Sequence, residues 1–286
     1  MNRLDKNYLI ELELTSLFEL RALKASPKEA VAQSSPNKNA SPSLEGETPK
    51  LSLNPNTSAT RLSVAGKHRT IDASVVIDAA PALRDADASS NARNVKIANL
   101  SWDELAKDVA TCKACGLCSE RRQVVVGEGA KTATWLFIGE APATEEDAVG
   151  LPFVGQAGKL LDEMLIASEL ARDKDVYLVN AVKCRPPGNR TPTVEEVAAC
   201  APYLDRQISL LAPKIIVALG KTAISRLHLG NTGETMANLR GKRHHYREIP
   251  VVATYHPAYL LLKLPEKLKA WEDLMFAKDE YGKTIA

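Results

Sequence analysis

The chain has 286 residues, 37 Lys+Arg against 35 Asp+Glu, and is 45% hydrophobic but only 5% aromatic. That length allows one or two domains. A formal charge of +2 argues neither for nor against nucleic acid, so such a partner has to be read from local clusters. No apolar run approaches the ~18–20 residues of a membrane span. Glu11, Glu13 and Glu19 break up every apolar stretch a leader peptide needs. A soluble, cytoplasmic protein without membrane contact is expected.

At the N-terminus Leu4, Tyr8, Leu9, Leu12, Phe18, Leu20 and Leu23 fit a short amphipathic helix over 4–23. Such a helix docks either on its own globular domain or into the groove of a protein partner, which the residues do not name. Between Phe18 and Trp102 there is no aromatic residue, and 25–95 is built of Ala, Ser, Asn, Pro, Thr and charge, as in SSPNKNASPSLEGETPK. Such a segment cannot bury enough apolar surface to offset roughly 1–2 kcal/mol of backbone entropy per residue, and a disordered linker is expected.

The folded domain is expected over 96–286. Ser101 ahead of WDELAKDVATC, with Glu104 at the third helical position, reads as a capping box. ATWLFIGEAP, DVYLVNAVKC, PKIIVALG and IPVVATYHP follow, apolar throughout rather than alternating, as suits strands covered on both faces. Helix-period stretches at 155–169, 193–211 and 221–229 separate them, and a last helix over 265–279 follows the fourth strand. This alternation predicts an α/β three-layer sandwich around a central, mostly parallel four-stranded sheet. Ligands bind at the carboxyl ends of such strands, which here read GEAP, Asn180, LGK and YHP.

All five cysteines lie between 112 and 200, which speaks for a metal site in a reducing compartment rather than a disulfide scaffold. Cys112 and Cys115 form a C-x2-C pair, Cys184 follows the second strand, and Cys200 lies on the next helix. Four such thiolates suit zinc and a cubane iron–sulfur cluster alike. Cys118 extends the pair to C-x2-C-x2-C, in the manner of a ferredoxin run, but no Cys-Pro follows.

Three segments complete the pattern. They are Gly139–Glu140–Ala141–Pro142 running through Glu145–Glu146–Asp147 to Pro152–Phe153, then Asn180 in VYLVNAVKC, then His256–Pro257–Ala258–Tyr259–Leu260–Leu261. In this order, with KCRPPGNRTPT and Cys200 between them, they resemble the iron–sulfur (family-four) uracil-DNA glycosylases. The resemblance runs from about Cys112 to about Leu274, and the first 95 residues have no counterpart in it.

That resemblance implies a DNA-repair enzyme that turns uracil out of DNA and hydrolyses its glycosidic bond, leaving an abasic site. It implies one [4Fe-4S] cluster on Cys112, Cys115, Cys184 and Cys200, with zinc as the alternative. Phe153 would stack on the base. Asn180 offers a donor and an acceptor that separate uracil from cytosine, and His256 would donate to the uracil oxygen as negative charge develops. Gly139 and Ala141 bring the GEAP loop to the base, Glu140 would face the attacking water or the sugar, and Glu146 would exclude the thymine methyl. Ala141 stands where related glycosylases carry a catalytic aspartate. Ala143 stands where the family usually has Gly, a strained exchange if φ is positive there.

A related branch that bonds covalently to DNA carries an Arg-rich, His-containing insertion where this chain reads CRPPGNRTPT, so no covalent trapping is expected. Arg185, Arg190 and Lys263, with Arg240, Lys242 and Arg243 as a second basic group, are candidates for the phosphates. Leu260 or Leu261 would wedge into the gap left by the flipped base. The expected partner is uracil-containing DNA, which would hold this monomer near the nucleoid. A redox carrier using Cys118, or a zinc-stabilised nucleic-acid-binding module without catalysis, are the competing readings. An electron carrier has no use for Phe153, Asn180 and His256 at strand ends.

Overall fold

The computed structural model describes residues 91–230 and 233–285. The expected helix over 4–23 and the linker up to residue 90 lie outside the described residues. Residues 91–95 belong to the folded part, against the expected boundary at 96. They are helical within α1 (91–98). Arg93 anchors them, donating from Nη1 to the Ala199 carbonyl at 3.1 Å and lying 5.0 Å over the Tyr203 ring.

α2 (Trp102–Thr111) opens with the expected capping box: Ser101 accepts from the Glu104 amide, and Glu104 accepts from the Ser101 amide at 2.8 Å. The sheet then contains six strands, β1 (Glu128–Gly129), β2 (Trp135–Gly139), β3 (Val176–Asn180), β4 (Ile215–Leu219), β5 (Arg243–Tyr246) and β6 (Ile249–Thr254), in the order β1-β3-β2-β4-β6-β5. The four central strands are the four apolar runs, and they pair in parallel. The sheet is nevertheless mixed, because β1 and β5 add antiparallel edges to β3 and β6. β5 reads Arg-His-His-Tyr, half exposed, so no hydrophobic run announced it.

Each central strand is apolar throughout because successive side chains enter different layers. On one face Trp135, Phe137, Leu178, Val217 and Val252 pack with α4 (Gln156–Ala167) and α9 (Lys267–Ile285). On the other, Leu136, Ile138, Val179, Ala218 and Val251 pack with α5 (Val194–Leu211) and α6 (Gly220–Arg226). Fully burying a residue such as Phe137 or Leu178 contributes about 1.5–3 kcal/mol. Short helices α3 (Thr144–Val149), α7 (Met236–Leu239) and α8 (Pro257–Leu262) complete the order. α3 and α8 follow β2 and β6, on the rim where the parallel strands end. No described helix is long and apolar enough to cross a membrane.

Candidate active site

β2 and β3 end in register, with Gly139 opposite Asn180. A Cβ on Gly139 would lie 2.4 Å from Asn180 Oδ1 and 2.6 Å from Phe153 Cζ, closer than atoms tolerate, so only glycine lets these two side chains converge over the strand end. Asn180 is 3% exposed, and its Oδ1 has no hydrogen-bond partner among the described residues. A buried acceptor left bare costs about 1–3 kcal/mol, and an N–H from a ligand relieves that cost. The Phe153 ring, held by a backbone with φ 56°, stacks on the His256 ring at 5.9 Å between centroids and 29° between planes.

His256 follows β6 and caps α8, its Nδ1 accepting the Ala258 N–H at 3.2 Å. That bond makes Nε2 the protonated nitrogen of the neutral ring. Burial lowers the imidazole pKa, against the opposing pull of Glu140 and Glu146, so the neutral donor form prevails at neutral pH. Gly220, at φ 83°, brings the β4–α6 turn so close that a Cβ there would stand 3.1 Å from His256 Cβ. On the same turn Thr222 donates from Oγ1 to Glu140 Oε2 at 2.5 Å.

The acidic trio after the GEAP loop divides. Glu145 is exposed. Asp147 is buried and accepts the amides of Arg122 and Gln123. Glu146 accepts Val154 N–H and Gly155 N–H at 3.2 and 3.3 Å on one oxygen and Ala143 N–H at 3.0 Å on the other, tying the GEAP loop to the Phe153 loop. Ala143 has φ −98°, so alanine sits there without strain. Ala141 packs against Leu117, Val182 and Cys184, joining the GEAP loop to the cysteines.

The five cysteines line one cavity together with Arg121 and Lys183. Arg121 donates from Nη1 to Cys184 Sγ at 3.0 Å, and Arg93 from Nη2 to Cys112 Sγ at 3.7 Å. Burial pushes the Cys200 thiol up to about 11 and the Lys183 amine down to about 8. Lys183 also donates to the Asn180 carbonyl at 2.8 Å, which links this cavity to the base pocket. Among the described residues no His, Cys, Asp and Glu side chains close round a single metal ion. Sulfurs arranged around a cavity suit a polynuclear cluster, which keeps its thiolates further apart than one ion does, and the surrounding cations offset its negative charge.

Residues 126–275 match the family model of the uracil DNA glycosylase superfamily. The chain belongs to that superfamily. It is 44% identical over 168 residues to a type-4 uracil-DNA glycosylase of Sulfurisphaera tokodaii, covering 56% of this chain and 76% of that one. It is 45% identical over 179 residues to the type-4 uracil-DNA glycosylase of Thermotoga maritima, covering 59% and 89%. A type-5 uracil-DNA glycosylase of Pyrobaculum aerophilum matches at 41% over only 86 residues, 30% of this chain and 37% of the relative. Type 4 is the iron–sulfur branch of the superfamily, in keeping with the cysteine cavity.

Not every residue proposed for DNA stands free within this glycosylase fold. Leu260 is 1% exposed and part of the core, so it cannot be the wedge. One step round α8, Leu261 is 41% and Leu262 81% exposed. Lys263 is exposed beside them. Arg190 is held bidentately by Glu196, and Arg185 donates to Asn189 Oδ1 at 2.6 Å. Arg240 and Arg243 pair with Asp273 and Glu280 and fasten α9 to the sheet edge, and of that basic group only Lys242 has no such partner among the described residues. Thr222 and Lys183 escaped sequence reasoning. Only their position next to LGK and KCRPP hinted at a role.

Proposed function

We propose that the chain receives uracil turned out of DNA and hydrolyses the bond between its N1 and deoxyribose C1′, leaving an abasic site. The observation that carries this reading is the buried, partnerless Asn180 Oδ1 beside the Phe153 and His256 rings at the ends of parallel strands. The relatives named as uracil-DNA glycosylases support it. Asn180 Oδ1 accepts the uracil N3–H, and its amide donates to O4. Cytosine offers an acceptor and a donor in those places, and two mismatched buried groups reject it. Phe153 covers the face of the base. Glu146 acts on the thymine methyl through the two loops it holds rigid.

As the C1′–N1 bond breaks, its electron pair leaves with uracil, and His256 Nε2–H donates to the anionic O2. Positive charge on the sugar faces Glu140, which Thr222 holds in one orientation. Water adds its oxygen to C1′ and yields its proton to bulk solvent through Glu140, and uracil is protonated from solvent. Ala141 leaves the third loop position without a carboxylate, so stabilisation of the leaving group carries most of the barrier reduction. Leu261 fills the vacated stack and Lys263 meets the phosphates, while Arg185 and Arg190 reach them by exchanging Asn189 and Glu196 for phosphate oxygens.

Cys112, Cys115, Cys184 and Cys200 would hold one [4Fe-4S] cluster, and Cys118 lines the same cavity. When bound it supplies a rigid cross-link between α2 and the 184–200 segment and takes no part in electron transfer. The test is incubation with matched uracil- and thymine-containing oligonucleotides, scoring alkali-labile sites. Cleavage confined to uracil, abolished in His256→Ala, is expected, and no cleavage by the wild type rejects the function. Brown protein with stoichiometric iron and sulfide supports the cluster, and colourless zinc protein rejects it.

A further inference from the structure

Arg172 lies in the turn before β3, far in sequence from the motifs of the site, yet its guanidinium reaches both peptide groups that flank Phe153. Nη2 donates to the Pro152 carbonyl at 2.7 Å, and Nη1 to the Phe153 carbonyl at 3.2 Å. The same two nitrogens are themselves aimed by Glu128 and Asp162, at 2.6 Å each. The planes of the two peptides bracketing a residue set its φ and ψ, and φ and ψ set the direction in which its side chain leaves the backbone.

That direction needs holding here. Phe153 has φ 56°, in a left-handed region that bulky side chains adopt rarely. α4 presses so close to the same peptide that a Cβ on Gly158 would lie 1.8 Å from the Phe153 oxygen. Glu146 holds the next two amides of the same loop. The loop is thus gripped from both ends, and among the described residues only the Arg172 side chain hydrogen-bonds Phe153 itself.

Resting on the uracil-excision reading, we propose that Arg172 is a positioning residue for base stacking: its fork fixes the Phe153 ring in the plane where the flipped base lands. The competing role is a plain ion-pair staple between α4, β1 and the turn. Arg172→Lys keeps the positive charge beside Glu128 and Asp162, but one ammonium cannot span two carbonyls and two carboxylates. For that variant kcat/KM on uracil DNA is expected to fall about tenfold, within what one base–aromatic stack is worth. Inhibition by free uracil weakens by the same factor. Affinity for abasic DNA, which does not use the ring, stays at the wild-type value.

Glu128→Gln, which cuts an ion pair but leaves both carbonyl bonds, is expected to keep wild-type uracil inhibition. Unchanged uracil inhibition in Arg172→Lys overturns the proposal. So does a Glu128→Gln variant that loses it, a result that decides even if Arg172→Lys fails to fold. A wild type that releases no uracil defeats the functional reading instead, so the two failures are told apart.

Discussion

His256 keeps its proton on Nε2 because burial disfavours the imidazolium and the Ala258 amide occupies Nδ1. Its folded pKa lies below the ordinary histidine value, so the unfolded chain takes up the proton first as pH falls. The stability this contributes is full above the unfolded pKa, near 6.5, and is lost as pH falls through the lowered folded value. Uracil release is therefore expected to show no histidine step between pH 8 and 6.5, with a decline only at lower pH, as a pH–kcat profile will reveal. Thr222 supplies a second prediction. Thr222→Val removes the donor to Glu140 while keeping the volume, and kcat is expected to fall by about tenfold with KM unchanged, the cost of one charge-assisted hydrogen bond. Thr222→Ser should restore most of it.

Among elements, α2 and the segment from Cys184 to Cys200 depend on one another. Leu105 and Val109 of α2 cluster with Tyr203, Cys112 and Cys200, while Cys184 packs with Leu117 and Val182, so the cysteines stand where the two elements meet, and half-buried Arg121 and buried Lys183 add positive charge to the same space. Cys184→Ala is thus expected to lower thermal stability and DNA affinity together, read by calorimetry and by titration with labelled oligonucleotide. Cleavage lost with both of these intact contradicts it. On α8, helical phase turns Leu260 into the core and Leu261 outward. Leu261→Ala is expected to slow cleavage of duplex uracil about tenfold while sparing single strands, because only a duplex leaves a stack to fill.

In the molecule as a whole, the site residues from Gly139 to Lys263 lie on the parallel strands of one mixed sheet or on the loops and helices that follow their carboxyl ends. Removal of residues 1–90 is therefore expected to leave the rate of uracil release within about twofold, because every named site residue lies among the described residues. A larger loss would place part of the site in that segment.

Much of this was legible in the order of residues. Four apolar runs named the central strands because a strand covered twice has no polar face, and Asn180 and His256 stood at ends where such sheets bind ligands. The edge strand β5 was not legible, since a half-exposed strand carries no such pattern. Nor was the division of the arginines, because Asp273 and Glu280, which neutralise Arg240 and Arg243, come from a helix some 30 residues further along. Short-range pattern thus settles which segments are strands, helices and motifs. The proximity of Arg172 to Phe153, of Thr222 to Glu140 and of Lys183 to both cavities follows from packing alone, because hydrogen bonds between segments distant in the chain leave no periodicity to read.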